Sequence, residues 1–506
     1  MLWSGMDSQL SRSLAVLAAV TLVTAWFSNT FYFPDEHYQV LEFMSYRLGI
    51  TAAPDLPWEF SAHIRPWLQP LIYFLIAKPL LLIGLKDMFV VTFILRLATG
   101  IFSLAALALF ARAILLTIGG AEERRAFLTY LPLLGFLPYL FVRTASETFS
   151  AAFLALALAW AMGARSIVGL ALAGLFCGLA FDSRYQTGLV GMGLLAWLWI
   201  IARVRIAGLA TFLGGGLVAL AIGALADRWG YGQWVFPPLG YVDVNLVQGL
   251  AAHQFGREPI FAYLYLLPAQ IFFAITLVLM AAMVAMWLRN PRHVVSWASF
   301  PFVLVHIAVA HKEARFLFPL AILSTAFPVL GFSPRLPLGQ ESFARIWSWR
   351  RSWAAKVVTA ISLLAMVYFA VYPFGVRPHM PMAEYLYRHW QGPIYSFSAP
   401  FQSYPMYRPA GFRSERLKDE AALGTLLEKG PIFVMAEVPV PPVLPAGAHA
   451  ELIYSEFALA RFGYGQSAAD YIAGYTRFAA RHPFLRLLPL YWYTLYRVER
   501  SATIRS

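Results

Sequence analysis

Twelve times along its length the chain returns to an apolar run, several of them close to the ~20 residues that a bilayer core demands of a helix. The runs lie at Leu14–Phe27 and near 71–85, 89–116, 127–142, 148–163, 166–181, 187–202, 206–226, 262–287, 294–310, 314–331 and 355–373. They are continuous rather than alternating, which excludes a strand-built outer-membrane barrel. Only 13% of the residues are charged and 60% are hydrophobic, against about 25% charged in soluble proteins. A soluble enzyme, a collagen, a disulfide scaffold and a disordered chain are excluded with it. What remains is an α-helical polytopic membrane protein.

The net charge of +13 does not call for nucleic acid, because cations gather on the cytoplasmic loops of membrane proteins. Arg124 and Arg125, Arg165, Arg203 and Arg205, Arg289 and Arg292, and Arg345, Arg350, Arg351 and Lys356 fall in alternate short loops. The positive-inside rule places those loops in the cytoplasm and the segments 31–70, 143–147, 182–186, 227–261, 311–315 and the tail outside. If 71–85 spanned, every later loop would contradict its own charge. That run is therefore expected as a juxtamembrane or re-entrant helix of the first outer loop, which leaves about eleven spanning helices. Leu14–Phe27 has signal-peptide length but no clear small-x-small cleavage site, and reads as a retained first helix.

Beyond residue 373 the character changes. The segment 374–506 holds 10 of the 26 acidic residues. Strand-like stretches at Pro431–Ala436, Leu452–Ser455 and Tyr491–Val498 alternate with helical patterns at Glu415–Lys429 and Ala468–Arg481. An extracytoplasmic α/β domain of about 130 residues is expected, long enough for a small core. The expected division is a transmembrane domain, 1–373, whose first outer loop is 31–88, and this second domain. Cys177 is the sole cysteine, so no intrachain disulfide forms. Asn29, Asn245 and Asn290 begin no glycosylation sequon, and six lysines stand against 33 arginines. Both features favour a bacterial inner membrane over a eukaryotic secretory one.

Chemistry concentrates in two outer segments. The first is Phe33-Pro-Asp-Glu-His-Tyr-Gln-Val-Leu-Glu42. Pro34 suits a helix start, with Asp35 and Glu36 in its first turn. At helical spacing Asp35, Gln39, Glu42 and Tyr46 share a polar face, and Glu36, Val40 and Phe43 a more apolar one. A carboxylate there could take the proton of an attacking sugar hydroxyl, or could simply favour the helix dipole. Trp58-Glu59 and Arg65 follow; Trp58 and Trp67 suit interface anchoring or sugar stacking, and Arg65 either a phosphate or a partner in Glu59 or Glu36. The second segment is His311-Lys-Glu-Ala-Arg-Phe316, cationic on the side where cations are sparse. It suits a lipid-linked phosphate, or snorkelling cations with Glu313 as internal partner. Weaker candidates are Arg143 with Glu147, spaced i,i+4, Asp182 with Arg184, and Asp227-Arg228 through Trp234. No metal-ligand spacing stands out, and no Gly-x4-Gly-Lys phosphate loop exists, so neither a metal nor a nucleotide cofactor is expected.

Pro34-Asp-Glu-His-Tyr-Gln with Glu42, Trp58-Glu59 and Arg65 resembles the first-loop signature of glycosyltransferase family 22, the mannosyltransferases of N-glycan precursor and GPI-anchor assembly. Arg143-Thr-Ala-Ser-Glu147, Asp227-Arg228 with Tyr231-Gly-Gln-Trp234, and Asn245 resemble its later segments. His311-Lys-Glu-Ala-Arg-Phe316 matches its His-Lys-Glu-x-Arg-Phe motif closely. The resemblance runs over roughly residues 20–330 and implies a GT-C fold. It also implies a polyprenyl- or dolichyl-phosphate sugar donor, mannose in the known members, with inversion by direct displacement onto a glycan or lipid-linked acceptor. Asp35 becomes the candidate base, with Glu36 beside it. His311, Lys312, Arg315, Arg184 and Arg65 become donor-binding candidates, and Trp58, Glu59 and Gln39 acceptor-binding ones. The rival classes are a lipid-linked-glycan flippase, which would hold its charges near the midplane, and a non-catalytic glycan-binding relative.

Overall fold

The structure is a computed structural model that describes residues 2–163, 166–270, 273–332, 353–372, 379–481 and 492–500. Arg165 and the cationic set Arg345, Arg350 and Arg351 lie outside the described residues, as does Tyr491. The chain divides into two compact units. The first is Met1–Lys86 with Val90–Pro373, and the second is Asp87–Phe89 with Phe374–Ser506.

The first unit is helical. Among the described residues four helices are long and apolar enough to cross a bilayer: Ser8–Phe27 (within Leu2–Phe27), Met88–Thr117, Ser146–Gly163 and Ile206–Tyr231. Two bent pairs raise the number to six if each is one span: Ala274–Arg289 with Val294–Ala308, bent by 117°, and Ala314–Leu320 with Leu323–Gly331, bent by 67°. Shorter apolar helices run over Leu68–Leu82, Ile167–Ser183 and Thr359–Val371.

The sequence-based figure of eleven counted runs that the backbone breaks. The run 127–142 divides into Ala121–Tyr130, a 3-10 turn at Leu131–Leu133 and a short helix at Leu137–Phe141. Pro132 and Pro138 lack the N–H that a continuous helix would need, each at the start of its new segment. The run 314–331 opens as a 3-10 helix that contains Pro319. The run 71–85 is the helix Leu68–Leu82.

Ser146–Gly163 is the most enclosed long helix, with 78% of its apolar window buried, whereas Ile206–Tyr231 has 22%. Ile167–Ser183 packs between these two. A Cβ on Gly174 would stand 1.8 Å from the Phe212 carbonyl oxygen, and one on Gly215 2.0 Å from that of Ala171. Small residues on both helices therefore set how closely the backbones approach, as in other membrane helix pairs. Ile206–Tyr231 stops where Gly232 takes φ +74°, a left-handed C-terminal residue. Arg96, within Met88–Thr117, donates from Nε to the Ala25 carbonyl at 2.9 Å.

Among the described residues the second unit is built on a five-stranded mixed sheet. Its strands are β1 (Ile394–Ser396), β2 (Ser414–Arg416), β3 (Ile432–Ala436), β4 (Ala448–Ser455) and β5 (Thr494–Arg500), in the order β2-β1-β3-β5-β4. β1 runs parallel to β2 and β3, while β5 is antiparallel to β3 and β4. One sheet face buries Val434, Tyr496 and Val498 against Leu423 and Leu427 of the helix Glu420–Leu427. Glu415 belongs to β2 rather than to that helix, because the Asp419 side chain accepts from the Ala422 N–H and caps the helix there. Met382, Ala383 and Leu386 form the buried stripe of a second helix, Met380–His389. Its start is tied down by Glu456, which accepts from the N–H groups of Met382 and Tyr493.

Candidate active site

Pro34 opens the first-loop helix at Pro34–Glu36. The backbone then widens into a π turn over His37–Leu41 before α-helix resumes at Glu42–Arg47. A π turn closes its hydrogen bonds one residue later, so everything beyond it is rotated by roughly one residue's worth, about 100°. The face expected to carry Asp35, Gln39 and Glu42 together is therefore split. Glu42 is fully buried; it receives the Thr51 hydroxyl at 2.5 Å and lies 2.7 Å from the His37 ring. Asp35 and Gln39 remain on the open side.

Glu36 also turns inward. Its Oε2 accepts the Tyr32 N–H at 3.0 Å, and its Oε1 accepts the N–H and hydroxyl of Thr144 at 2.8 and 3.0 Å. Arg143 sits beside it, donating to the carbonyls of Thr30 and Ser28 at 2.5 and 2.7 Å. Glu36 thus fastens the first loop to the 143–144 segment, with no free oxygen facing a substrate. The sequence expects Glu36 beside Asp35 in the chemistry; here its carboxylate is held by the Tyr32 and Thr144 donors. Arg143 joins this buried knot rather than its i,i+4 neighbour Glu147.

Asp35 stands at the centre of a chain of alternating charge. Its Oδ2 receives Arg315 Nη1 at 2.6 Å and lies 3.9 Å from Arg65 Nη2. Arg65 continues to Glu59 at 3.5 Å, whose same oxygen takes the Gln39 amide at 2.9 Å. On the other side Glu313 grips Arg315 with both oxygens, at 2.7 and 3.1 Å. Glu147 lies 3.9 Å from Arg315 and 2.9 Å from Arg184, which also donates to the Ser146 hydroxyl at 3.2 Å. Burial works to raise the Asp35 carboxyl, but Arg315 and Arg65 outweigh it and hold it below its ordinary value. The same contest, between burial on one side and Arg315 and His311 on the other, brings Glu313 down to about 2. The Glu313 hydrogen bond raises His311.

The 311–316 motif is not one helical face, since the 3-10 helix begins only at Ala314. His311 and Arg315 meet because both hold Glu313, and Arg315 is taken up by carboxylates of its own chain. Lys312 lies apart from Asp35, its ammonium set against the carbonyls of Val309 and Glu258 at 2.6 and 3.1 Å. As contacts expected for a donor phosphate, Arg315 and Lys312 are thus already engaged.

Arg65 also borders a narrow cleft of about 30 Å³ shared with Gln39, Gln69, Ser146, Arg184, Tyr185 and Tyr241. Four buried polar atoms here have no hydrogen-bond partner: Arg65 Nε, Arg184 Nε, Gln69 Oε1 and the Tyr185 hydroxyl. A buried donor left unmade costs about 1–3 kcal/mol. Two guanidinium Nε–H groups, an amide oxygen and a hydroxyl thus line the same cleft. Arg65 is held for this by the end of the Ile206–Tyr231 helix. The Tyr231 hydroxyl donates to the Arg65 carbonyl at 2.8 Å, and Asp227 accepts the Trp67 N–H at 2.8 Å. Trp67 is fully buried against Phe43 and Gly230 rather than at an interface. Trp58 is exposed and lies outside both the cleft and the charge chain. Gln69, Ser146 with Glu147, Tyr185 and Tyr241 went unassigned because they come from four separate segments of the chain; the one signal, the acidic residue Glu147, was absorbed by the nearby Arg143.

The fold superposes on ArnT from Cupriavidus metallidurans bound to undecaprenyl phosphate with a TM-score of 0.50 at 12% identity, covering 83% of this chain and 92% of that one. Its apo state gives 0.52 at 14%. The architecture is that of the GT-C membrane glycosyltransferases. Residues 13–396 match the Alg9-like mannosyltransferase family, and the chain belongs to it. GPI mannosyltransferase 3 of Yarrowia lipolytica is 28% identical over 403 residues, 78% of this chain and 73% of that protein. GPI alpha-1,2-mannosyltransferase 3 of Mus musculus is 26% identical over 66% of this chain, which spans 59% of the mouse protein's length. The chain is a multi-pass integral membrane protein of the mannosyltransferase class.

Proposed function

We propose that the protein moves a hexose, mannose, from a polyprenyl-phosphate carrier to a glycan or lipid-linked acceptor on the extracytoplasmic face, with inversion at the anomeric carbon. Asp35 is the base. The observation that carries this reading is its position between Arg315 and Arg65, with Arg65 shared between Asp35 and the cleft of unpartnered guanidinium edges. The donor phosphate enters that cleft against Arg65 and Arg184, the fork geometry of each matching two phosphate oxygens. Its negative charge offsets Arg65 just as the acceptor hydroxyl needs a stronger proton acceptor beside it. The hydroxyl oxygen then attacks the anomeric carbon, its proton passes to Asp35, and the bond to the phosphate breaks with the electron pair leaving on the carrier. Arg315 and Glu313 position Asp35, and His311 closes that cluster through Glu313. Gln39, on the cleft wall, and Glu59, hydrogen-bonded to it, receive the acceptor, and the exposed Trp58, next to Glu59 in the chain, offers it a ring to stack on.

This places catalysis in the first outer loop, 31–88, of a transmembrane domain, 1–373, with 374–506 as an extracytoplasmic domain. Arginine-rich usage and the missing sequons favour a bacterial inner membrane. The reading is tested with purified protein in nanodiscs, given labelled polyprenyl-phosphate mannose or glucose and a lipid extract. Transfer from the mannose carrier that disappears in Asp35→Asn is the expected result. No transfer from either carrier, by wild-type protein that folds, would overturn it.

A further inference from the structure

The second unit carries a cleft that plays no part in the chemistry above. It opens between the C-terminal end of the helix Met380–His389 and the sheet face opposite the hydrophobic core, with a volume of about 390 Å³. That is within the range of small-ligand sites, roughly 300–1,000 Å³. Two properties define what it would take.

The first is a stack of flat rings. Tyr385 lies between Tyr454, at 4.4 Å and 15°, and His389, at 4.7 Å and 21°. His389 ends the stack and is exposed, so its outer face is open to a second flat or apolar surface. Beside it Trp390 presents a buried indole N–H with no hydrogen-bond partner. Trp390 packs on Phe412, so the ring is held in place by apolar contact while its one donor is left unused.

The second property is charge balance. Arg497 on the cleft wall is answered by Glu499 at 3.1 Å and Glu451 at 3.9 Å, and Glu499 also meets His449 at 3.1 Å. A phosphate would meet carboxylates beside its only guanidinium; a cation would meet the guanidinium. Neutral ligands rich in hydroxyls suffer neither conflict. They can use an arginine and a carboxylate as paired donor and acceptor, the free indole N–H as a further donor, and an exposed ring as a platform for their C–H face. This contrasts with the first unit's cleft, where guanidinium edges stand unpartnered.

We propose that this cleft is a binding site for a neutral hexose oligosaccharide, separate from the catalytic chemistry and independent of it. The test uses the full-length protein in nanodiscs, titrated with an α-linked mannotriose and, separately, with inorganic phosphate, read by saturation-transfer NMR and calorimetry. Saturable mannotriose binding is expected, unchanged in Asp35→Asn. Trp390→Phe keeps an aromatic ring but deletes the N–H, and should weaken binding about three- to tenfold. His389→Ala, on the exposed end of the stack, should weaken it comparably. Absence of mannotriose binding by wild type, equal binding in both variants, or displacement of the sugar by phosphate would each overturn the proposal.

Discussion

Removing Arg315 strips one cation from three carboxylates at once, Asp35, Glu313 and Glu147. Losing one partner of a buried ion pair costs about 3–5 kcal/mol, because the other charge is left uncompensated. Glu147 is nearly sealed, but the Asp35 and Glu313 side chains are 29% and 21% exposed, so water recovers part of their loss. Arg315→Ala is therefore expected to cost roughly 2–4 kcal/mol of folding stability. Cys177 is the only thiol and is buried, so a thiol-reactive dye reports unfolding at one known place. The dye midpoint should fall by several degrees. In Arg315→Ala with Glu313→Ala it should fall by less than the two single changes summed, since the stranded carboxylate has gone too. Arg315→Lys should restore part of the midpoint but little turnover, because a point charge cannot hold Glu313 bidentately while orienting Asp35. An unchanged midpoint in Arg315→Ala, with strictly additive effects in the double variant, would refute the reasoning.

Asp35→Asn should cut turnover by ~10²–10⁴-fold at nearly wild-type midpoint, whereas Glu36→Gln should lower the midpoint, since it breaks the bonds to Thr144; equal turnover losses with equal midpoints would undo that distinction. Arg184→Ala should raise donor KM by roughly ten- to a hundredfold with little change in acceptor KM, and an unaltered donor titration would remove it from the phosphate site. Glu313 is depressed from 4.5 to about 2, so its contribution to stability is present above pH 4.5 and is lost as pH falls through about 2. Tryptophan-monitored melts between those limits should show that loss, and Glu313→Gln should flatten it.

What the sequence disclosed follows from range. Asp35 stood out because its significance lies in adjacent residues, and the Pro34 start is a local signal. The π turn that separates Asp35 from Glu42 has no such mark, and the Glu42 contacts to His37 and Thr51 that accompany it follow no helical spacing. Arg143 and Glu147 looked like partners at helical spacing, yet Arg143 sits just before the helix that begins at Ser146 and reaches Ser28 and Thr30 instead. Arg184 meets Glu147 across 37 residues of chain, a pairing no periodicity reveals. Breaks at Pro132 and Pro138 were legible in principle, but uniform hydrophobicity hid them. β1 and β2 are three residues each, too short for alternation to register.

The π turn at His37–Leu41 also has a consequence for how relatives of this chain can diverge. An α-helix tolerates substitution more readily than a change in length, but here one residue is already in surplus. Deleting a single residue within 37–41 would let the helix close as plain α and swing Asp35 by about 100° relative to the Glu42–Arg47 segment. The backbone would barely shorten, and a different side chain would inherit the view into the cleft. One codon gained or lost here thus acts as a selector of which carboxylate is presented, a change that no series of point substitutions reproduces in a single step.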